Sequence, residues 1–209
     1  DLGTTIMILA SGGLIIFLAG FAWRSIAILL LGGAVAAPFL WRTLHAYQQR
    51  RILTLFDPWS DPLGDGYHSI QSMIAIGSGG GQGKGWLAGS QSQLEFIPER
   101  HTDFIFSVFS EEFGFIGVVF LFVLYVLITG RGLYIAYYTK DTYSRLLAGS
   151  LSMTFFFYVF VNVGMVSGIL PVVGVPLPLI SYGGTSMVTL MAGFGILMGI
   201  HNHRSLISH

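Results

Sequence analysis

The densest chemistry in this chain lies in Glu95-Phe96-Ile97-Pro98-Glu99-Arg100-His101-Thr102-Asp103-Phe104-Ile105-Phe106, where carboxylates, a guanidinium, an imidazole and a hydroxyl crowd into a few positions. A carboxylate here could take up a proton, and the neighbouring cations could hold an anion. Pro98 should end any helix before it, Thr102 is the expected N-cap, and the apolar residues from Phe104 onward should run into a membrane span. On a helical wheel Asp103, Ser107, Ser110, Glu111 and Gly114 share one face, which predicts a polar strip lining a wet cleft. Asp103 is the candidate base, and Glu99, Arg100, His101, Ser107 and Glu111 are candidates to bind substrate. A competing reading makes Asp103 a first-turn acid that complements the helix dipole, and spacing alone leaves both open.

Other chemistries find less support. There are no cysteines, which excludes disulfides, thiolate catalysis and Cys-based metal sites. No His/Asp/Glu spacing makes a defensible metal site, and neither a G-x-S-x-G nor a Ser-His-Asp arrangement is present. The run Gly77-Ser78-Gly79-Gly80-Gly81-Gln82-Gly83-Lys84-Gly85 resembles a phosphate loop but has serine and glycine where the Walker pattern needs glycine and a hydroxyl residue, so nucleotide binding is rejected. Two readings stay open for it: a flexible glycine linker, or exposed amides that with Lys84 hold a phosphate or pyrophosphate.

The elements that must position these groups are membrane helices. Hydrophobic residues make up 53% of the chain and charged residues 10%, against about a quarter charged in soluble domains. Net charge is zero, which speaks against nucleic acid as a partner. Apolar runs at 4–21, 26–41, 114–135, 146–170 and 181–200 each approach the roughly 20 residues that a bilayer core requires. They predict an all-α polytopic membrane protein with a bundle of about five transmembrane helices. Two spans lie in 1–41, a large polar loop fills 42–112, and three spans and a tail fill 113–209. The Pro/Gly-rich 171–185 should form a re-entrant loop packed on protein. Asp57, Asp61, Asp65, Glu95, Glu99, Asp103, Glu111 and Glu112, eight of the ten acids, fall in the polar loop, so it should face water. Weighting basic residues in the short connections puts the loop outside the cytoplasm and the C-terminus inside. Ile70, Met73, Ile74 and Gly77 fit a short helix, either interfacial or packed. The start at Asp1, entering an apolar run at once, is read as a fragment of a longer protein.

Three stretches carry a resemblance: Pro98-Glu99-Arg100-His101-Thr102-Asp103-Phe104-Ile105-Phe106, Glu111-Glu112-Phe113-Gly114, and Pro176-Leu177-Pro178-Leu179-Ile180-Ser181-Tyr182-Gly183-Gly184. In this order they resemble the signature segments of the SEDS family (shape, elongation, division and sporulation). Gln91-Ser92-Gln93-Leu94-Glu95-Phe96 and the ending Gly199-Ile200-His201 with His203-Arg204 are most similar to its elongation branch. The resemblance implies helices six to ten of a ten-helix protein of the bacterial cytoplasmic (inner) membrane. It also implies a peptidoglycan glycosyltransferase that polymerises lipid II, the undecaprenyl-pyrophosphate disaccharide-peptide, alongside a class B penicillin-binding protein transpeptidase. The family's essential loop aspartate falls on Asp103.

On that basis Asp103 is expected to take the proton of the attacking sugar hydroxyl, with inversion at the anomeric carbon. Lys84 and Arg100 are expected to hold the pyrophosphate, helped by a divalent cation such as Mg2+. The rival expectation is a transporter (flippase) of the lipid-linked precursor. It requires ionisable groups at mid-membrane, where Asn162 is the main polar residue. A third reading makes the loop a docking platform for a partner enzyme, with Asp103 as a helix cap.

Overall fold

The computed structural model describes residues 2–20, 23–62, 64, 66–93 and 101–206. Among these residues the chain is all helix and connecting segments. In order it has α1 (Leu2–Leu18), α2 (Trp23–Thr43), α3 (Ala46–Phe56), a 3-10 turn (Pro58–Ser60), α4 (Tyr67–Ser78), α5 (Ser90–Gln93), α6 (Ile105–Tyr138), α7 (Thr142–Val166) and α8 (Gly184–Leu206). Arg24–Thr43, Ile105–Tyr138, Thr142–Val166 and Gly184–Asn202 are long and apolar enough to cross a bilayer. α1, at 17 residues, sits at the lower limit for a span.

The protein is a polytopic membrane bundle organised on α6 and α7, which pack along each other. α1 and α8 lean on α7, and α4 is laid over α6 and α7. Phe104, Phe106, Tyr125, Phe155, Met165 and Leu177 form the heart of the main core. Large apolar side chains such as Phe115, Phe120, Val126 and Leu127 point outward, as a surface bathed in hydrocarbon requires. α4 is a packed helix: it buries Ser69, Ile70, Ser72 and Ala75, and the Ser72 hydroxyl reaches the Val166 carbonyl at 2.8 Å.

Two boundaries differ from the sequence expectation. α7 ends at Val166, four residues before the apolar run does, because the last residues of that run join the irregular segment 167–183. That segment is buried on protein, with Val175 and Leu177 in the interior. α6 begins at Ile105 with Phe104 as N-cap and no side-chain cap, so Thr102 does not cap it and Asp103 lies before the first turn. Asp103 therefore stands one residue before the N-cap instead of inside the first turn. α6 spans 34 residues in two helical pieces that meet at a break at Gly114.

Candidate active site

The turn 101–104 owes its shape to residues far along the chain. The main-chain N–H of Tyr182 donates to the His101 carbonyl at 2.8 Å. The Ser181 hydroxyl donates to the Thr102 carbonyl at 2.6 Å, and the Asn162 amide to the Asp103 carbonyl at 2.8 Å. Three successive carbonyls are thus held by α7 and the 171–183 segment, and the chain enters α6 without a local cap. The same donors fold the irregular segment. Asn162 also donates to the Val175 carbonyl at 2.6 Å, and Ser181 Oγ accepts the Leu177 N–H at 2.6 Å. The Tyr125 hydroxyl ties the Pro178 carbonyl back to α6 at 2.8 Å. Phe104 is buried against the His68 ring, centroids 5.9 Å apart.

Asp103 is partly buried. Gly174 lies beside it with φ +77°, and a Cβ added there would stand 3.3 Å from Asp103 Oδ2. Gly174 therefore serves twice, reaching a left-handed conformation and letting main chain approach the carboxylate. It also borders a cavity of about 560 Å3 lined by α1, α6, α7, α8 and the 171–183 segment, with Phe155, Leu177, Leu190 and Phe194 among its walls.

A second polar cluster forms around Glu111. Its side chain is fully buried, and Oε1 accepts from Lys84 Nζ at 2.6 Å, from the Gln91 N–H at 3.0 Å and from the Ser90 hydroxyl at 3.3 Å. Lys84 Nζ donates to Ser90 Oγ at 2.8 Å as well, so two of its three N–H donors are spent inside the protein. The glycine run is neither a loose linker nor an open amide cradle. α6 is broken at Gly114 (φ +65°, ψ −165°), and residues 80–85 dock into the break. Lys84 and Gly85 N–H groups donate to the Glu111 and Glu112 carbonyls at 3.0 Å, and the Phe115 and Ile116 N–H groups donate to the Gly80 and Gly81 carbonyls at 2.9 and 3.1 Å. Those four helical groups would pair with one another in an unbroken helix.

The predicted residues therefore divide. Asp103 and exposed His101 sit in the turn, whereas Ser107 and Glu111 do not continue a wet strip below them. The Ser107 hydroxyl is buried on the Phe104 carbonyl at 2.7 Å, Ser110 returns its hydroxyl to the Phe106 carbonyl, and Glu111 is sealed under the glycine run. The polar face is real but faces protein. Glu99 and Arg100 lie outside the described residues. Sequence reasoning missed Asn162, Ser181 and Gly174 as parts of this site. An asparagine within an apolar span was the available signal for the first.

The chain matches, over residues 1–206, the family model FTSW_RODA_SPOVE of cell cycle proteins. It is 58% identical over its whole length to the peptidoglycan glycosyltransferase MrdB of Escherichia coli K12, of which it spans 56%. Over 160 residues, 77% of this chain and 37% of the relative, it is 49% identical to the peptidoglycan glycosyltransferase RodA of Treponema pallidum. Among solved structures it resembles a chain of a peptidoglycan synthase complex described for its coordination of polymerization and crosslinking. That match has a TM-score of 0.82 and 35% identity, covering 100% of this chain and 57% of the other. The Rod shape determining protein RodA of Thermus thermophilus matches with a TM-score of 0.62 and 28% identity, over 98% and 51%.

Proposed function

Because this chain belongs to the cell cycle protein family of FtsW, RodA and SpoVE, we propose that it is the half of a peptidoglycan glycosyltransferase that carries the reacting carboxylate. The observation that carries this reading is the turn at Asp103, where three consecutive carbonyls are held by distant donors so that one partly buried carboxylate is presented beside Gly174. Such a turn fixes the main chain from which one carboxylate projects.

In the proposed reaction a sugar hydroxyl of one lipid II molecule attacks the anomeric carbon of another lipid-linked chain. The O–H proton passes to an Asp103 oxygen as the new C–O bond forms. The bond to the pyrophosphate oxygen breaks on the opposite face, inverting the centre. One carboxylate suffices because pyrophosphate leaves as a stabilised anion and needs no protonation, unlike the alcohol released by a glycosidase. Arg100, next in sequence to the exposed His101, is proposed to hold the pyrophosphate. Lys84 is assigned to Glu111, since its ammonium is already engaged there. Among the described residues no group of three or more His, Asp or Glu side chains is placed to hold a metal, and a divalent cation such as Mg2+ would act here as a helper on the pyrophosphate itself.

The apolar walls of the cavity bordered by Gly174 suit the hydrocarbon part of a lipid-linked substrate. In this reading the loop 42–112 lies on the outer side of the bacterial inner membrane. A class B penicillin-binding protein is the proposed partner, in keeping with the polymerization and crosslinking paired in the synthase complex.

The test gives labelled lipid II in detergent to the protein at its full length. Asp103→Asn and Asp103→Ala should lower glycan polymerisation by a factor on the order of 10² to 10⁴ with an unchanged melting curve. Polymer at the wild-type rate from Asp103→Asn would remove the base assignment, and a wild type that moves lipid II across vesicles without polymerising it would make the protein a transporter.

A further inference from the structure

Asn162 is fully buried on α7 and lies 59 residues from Asp103 in sequence, yet its side-chain amide donates to the Asp103 carbonyl at 2.8 Å and to the Val175 carbonyl at 2.6 Å. We infer that Asn162 is a positioning residue for the Asp103 carboxylate, setting its main-chain position and locking it in register with the 171–183 segment. The inference rests on the reading of Asp103 as the base.

Three observations lead to it. The two N–H donors of one amide bridge the carbonyl of the reacting residue and the carbonyl adjoining Gly174, the glycine whose α-carbon faces Asp103 Oδ2. Asn162 thus fixes the main chain that carries the carboxylate and the backbone next to it. Among the described residues its own Oδ1 is buried with no hydrogen-bond partner. A buried acceptor left unpaired is unfavourable, and it is retained here with both donors engaged at the site. Finally, Ser181 repeats the arrangement one residue earlier, bridging the Thr102 carbonyl and the Leu177 N–H. Two side chains from different elements thus make parallel bridges between the same two strands of irregular chain. Position is where rate is sensitive, because a displacement of about 1 Å at a reacting group can cost a hundredfold.

The substitutions separate positioning from folding. Asn162→Asp keeps the shape but replaces the donating nitrogen, turning an acceptor toward both carbonyls. Ser181→Ala removes one small hydroxyl and serves as the milder second variant should Asn162→Asp fail to fold. With labelled lipid II and the protein at full length, Asn162→Asp should lower kcat about a hundredfold and Ser181→Ala about tenfold, with KM within about threefold of wild type. When Asp103 is already asparagine, adding either change should cost no further rate, since there is no carboxylate left to position. The inference is overturned if kcat is unchanged in both variants, if only KM rises, or if the losses persist in full in the Asp103→Asn background. Failure of the base assignment shows separately, as wild-type turnover by Asp103→Asn alone.

Discussion

Two irregular segments grip the first turns of α6, and they do so by different chemistry. At the N-terminal end the proline-rich 171–183 segment is joined mainly through side chains: Ser181 reaches the Thr102 carbonyl and Asn162, from α7, reaches the Asp103 and Val175 carbonyls, beside one main-chain bond from Tyr182 to His101. Ten residues further on, the glycine-rich 79–85 segment uses its own backbone, exchanging four hydrogen bonds with α6 around the Gly114 break and adding the Lys84–Glu111 pair. Proline has no N–H and resists regular ladders, so the first segment needs donors supplied from outside. Glycine lets backbone meet backbone, so the second can stand in for a stretch of helix. The segment held by side chains adjoins Asp103, while the one held by backbone seals a carboxylate away. A glycine run followed by a lysine was thus consumed as structure.

The largest loss of stability is expected at the glycine segment. Lys84→Met leaves the Glu111 carboxylate buried without its cation and should cost about 3 kcal/mol, at the low end for a buried pair because the lysine side chain is 30% exposed. Thermal melting in detergent measures this, and Lys84→Met with Glu111→Gln should recover most of it. A raised KM for lipid II at unchanged stability would instead return Lys84 to the substrate. Gly114→Ala forces φ +65° on an L side chain and drives a Cβ into the main chain at 81–83. A loss of roughly 2–3 kcal/mol is expected, with specific activity per folded molecule little changed.

At the proline segment the order reverses. Gly174→Ala should cost about 1–2 kcal/mol for its left-handed backbone, yet reduce polymerisation out of proportion, because the new methyl group lies against Asp103 Oδ2. Equal losses in stability and rate would erase the distinction between the two segments. The smallest effect belongs to a control remote from both. Asp141 caps α7, and its carboxyl is held below the usual carboxylate range by the Ser144 N–H and then by the Ser144 hydroxyl. Its contribution is present above the unfolded pKa and lost as the pH falls through the folded one. Asp141→Asn should therefore narrow the melting difference between neutral and acid pH without touching activity.

Much of this was legible beforehand. Composition and the lengths of the apolar runs pointed to a membrane bundle, since hydrocarbon admits few alternatives to helix. Pro171, Pro176 and Pro178 argued against a helix there. Asp103 stood out through its neighbours, and the family resemblance reinforced it. The face shared by Ser107, Ser110 and Glu111 was also correctly grouped by its spacing, but a wheel says which residues share a side and not what covers that side.

What the residues determined by themselves was local and additive: which stretches could lie in lipid, where regular helix had to stop, and which carboxylate kept company with cations. Whether Asp103 opened a helix or preceded it, whether Lys84 met a substrate or Glu111, and whether Asn162 was a stray polar group or a brace for the site were decided only by the fold. Each depends on a hydrogen bond between groups 27 to 79 positions apart. The partner of a buried polar group is set by whichever donor or acceptor packing brings within about 3 Å, and sequence order carries no measure of that distance.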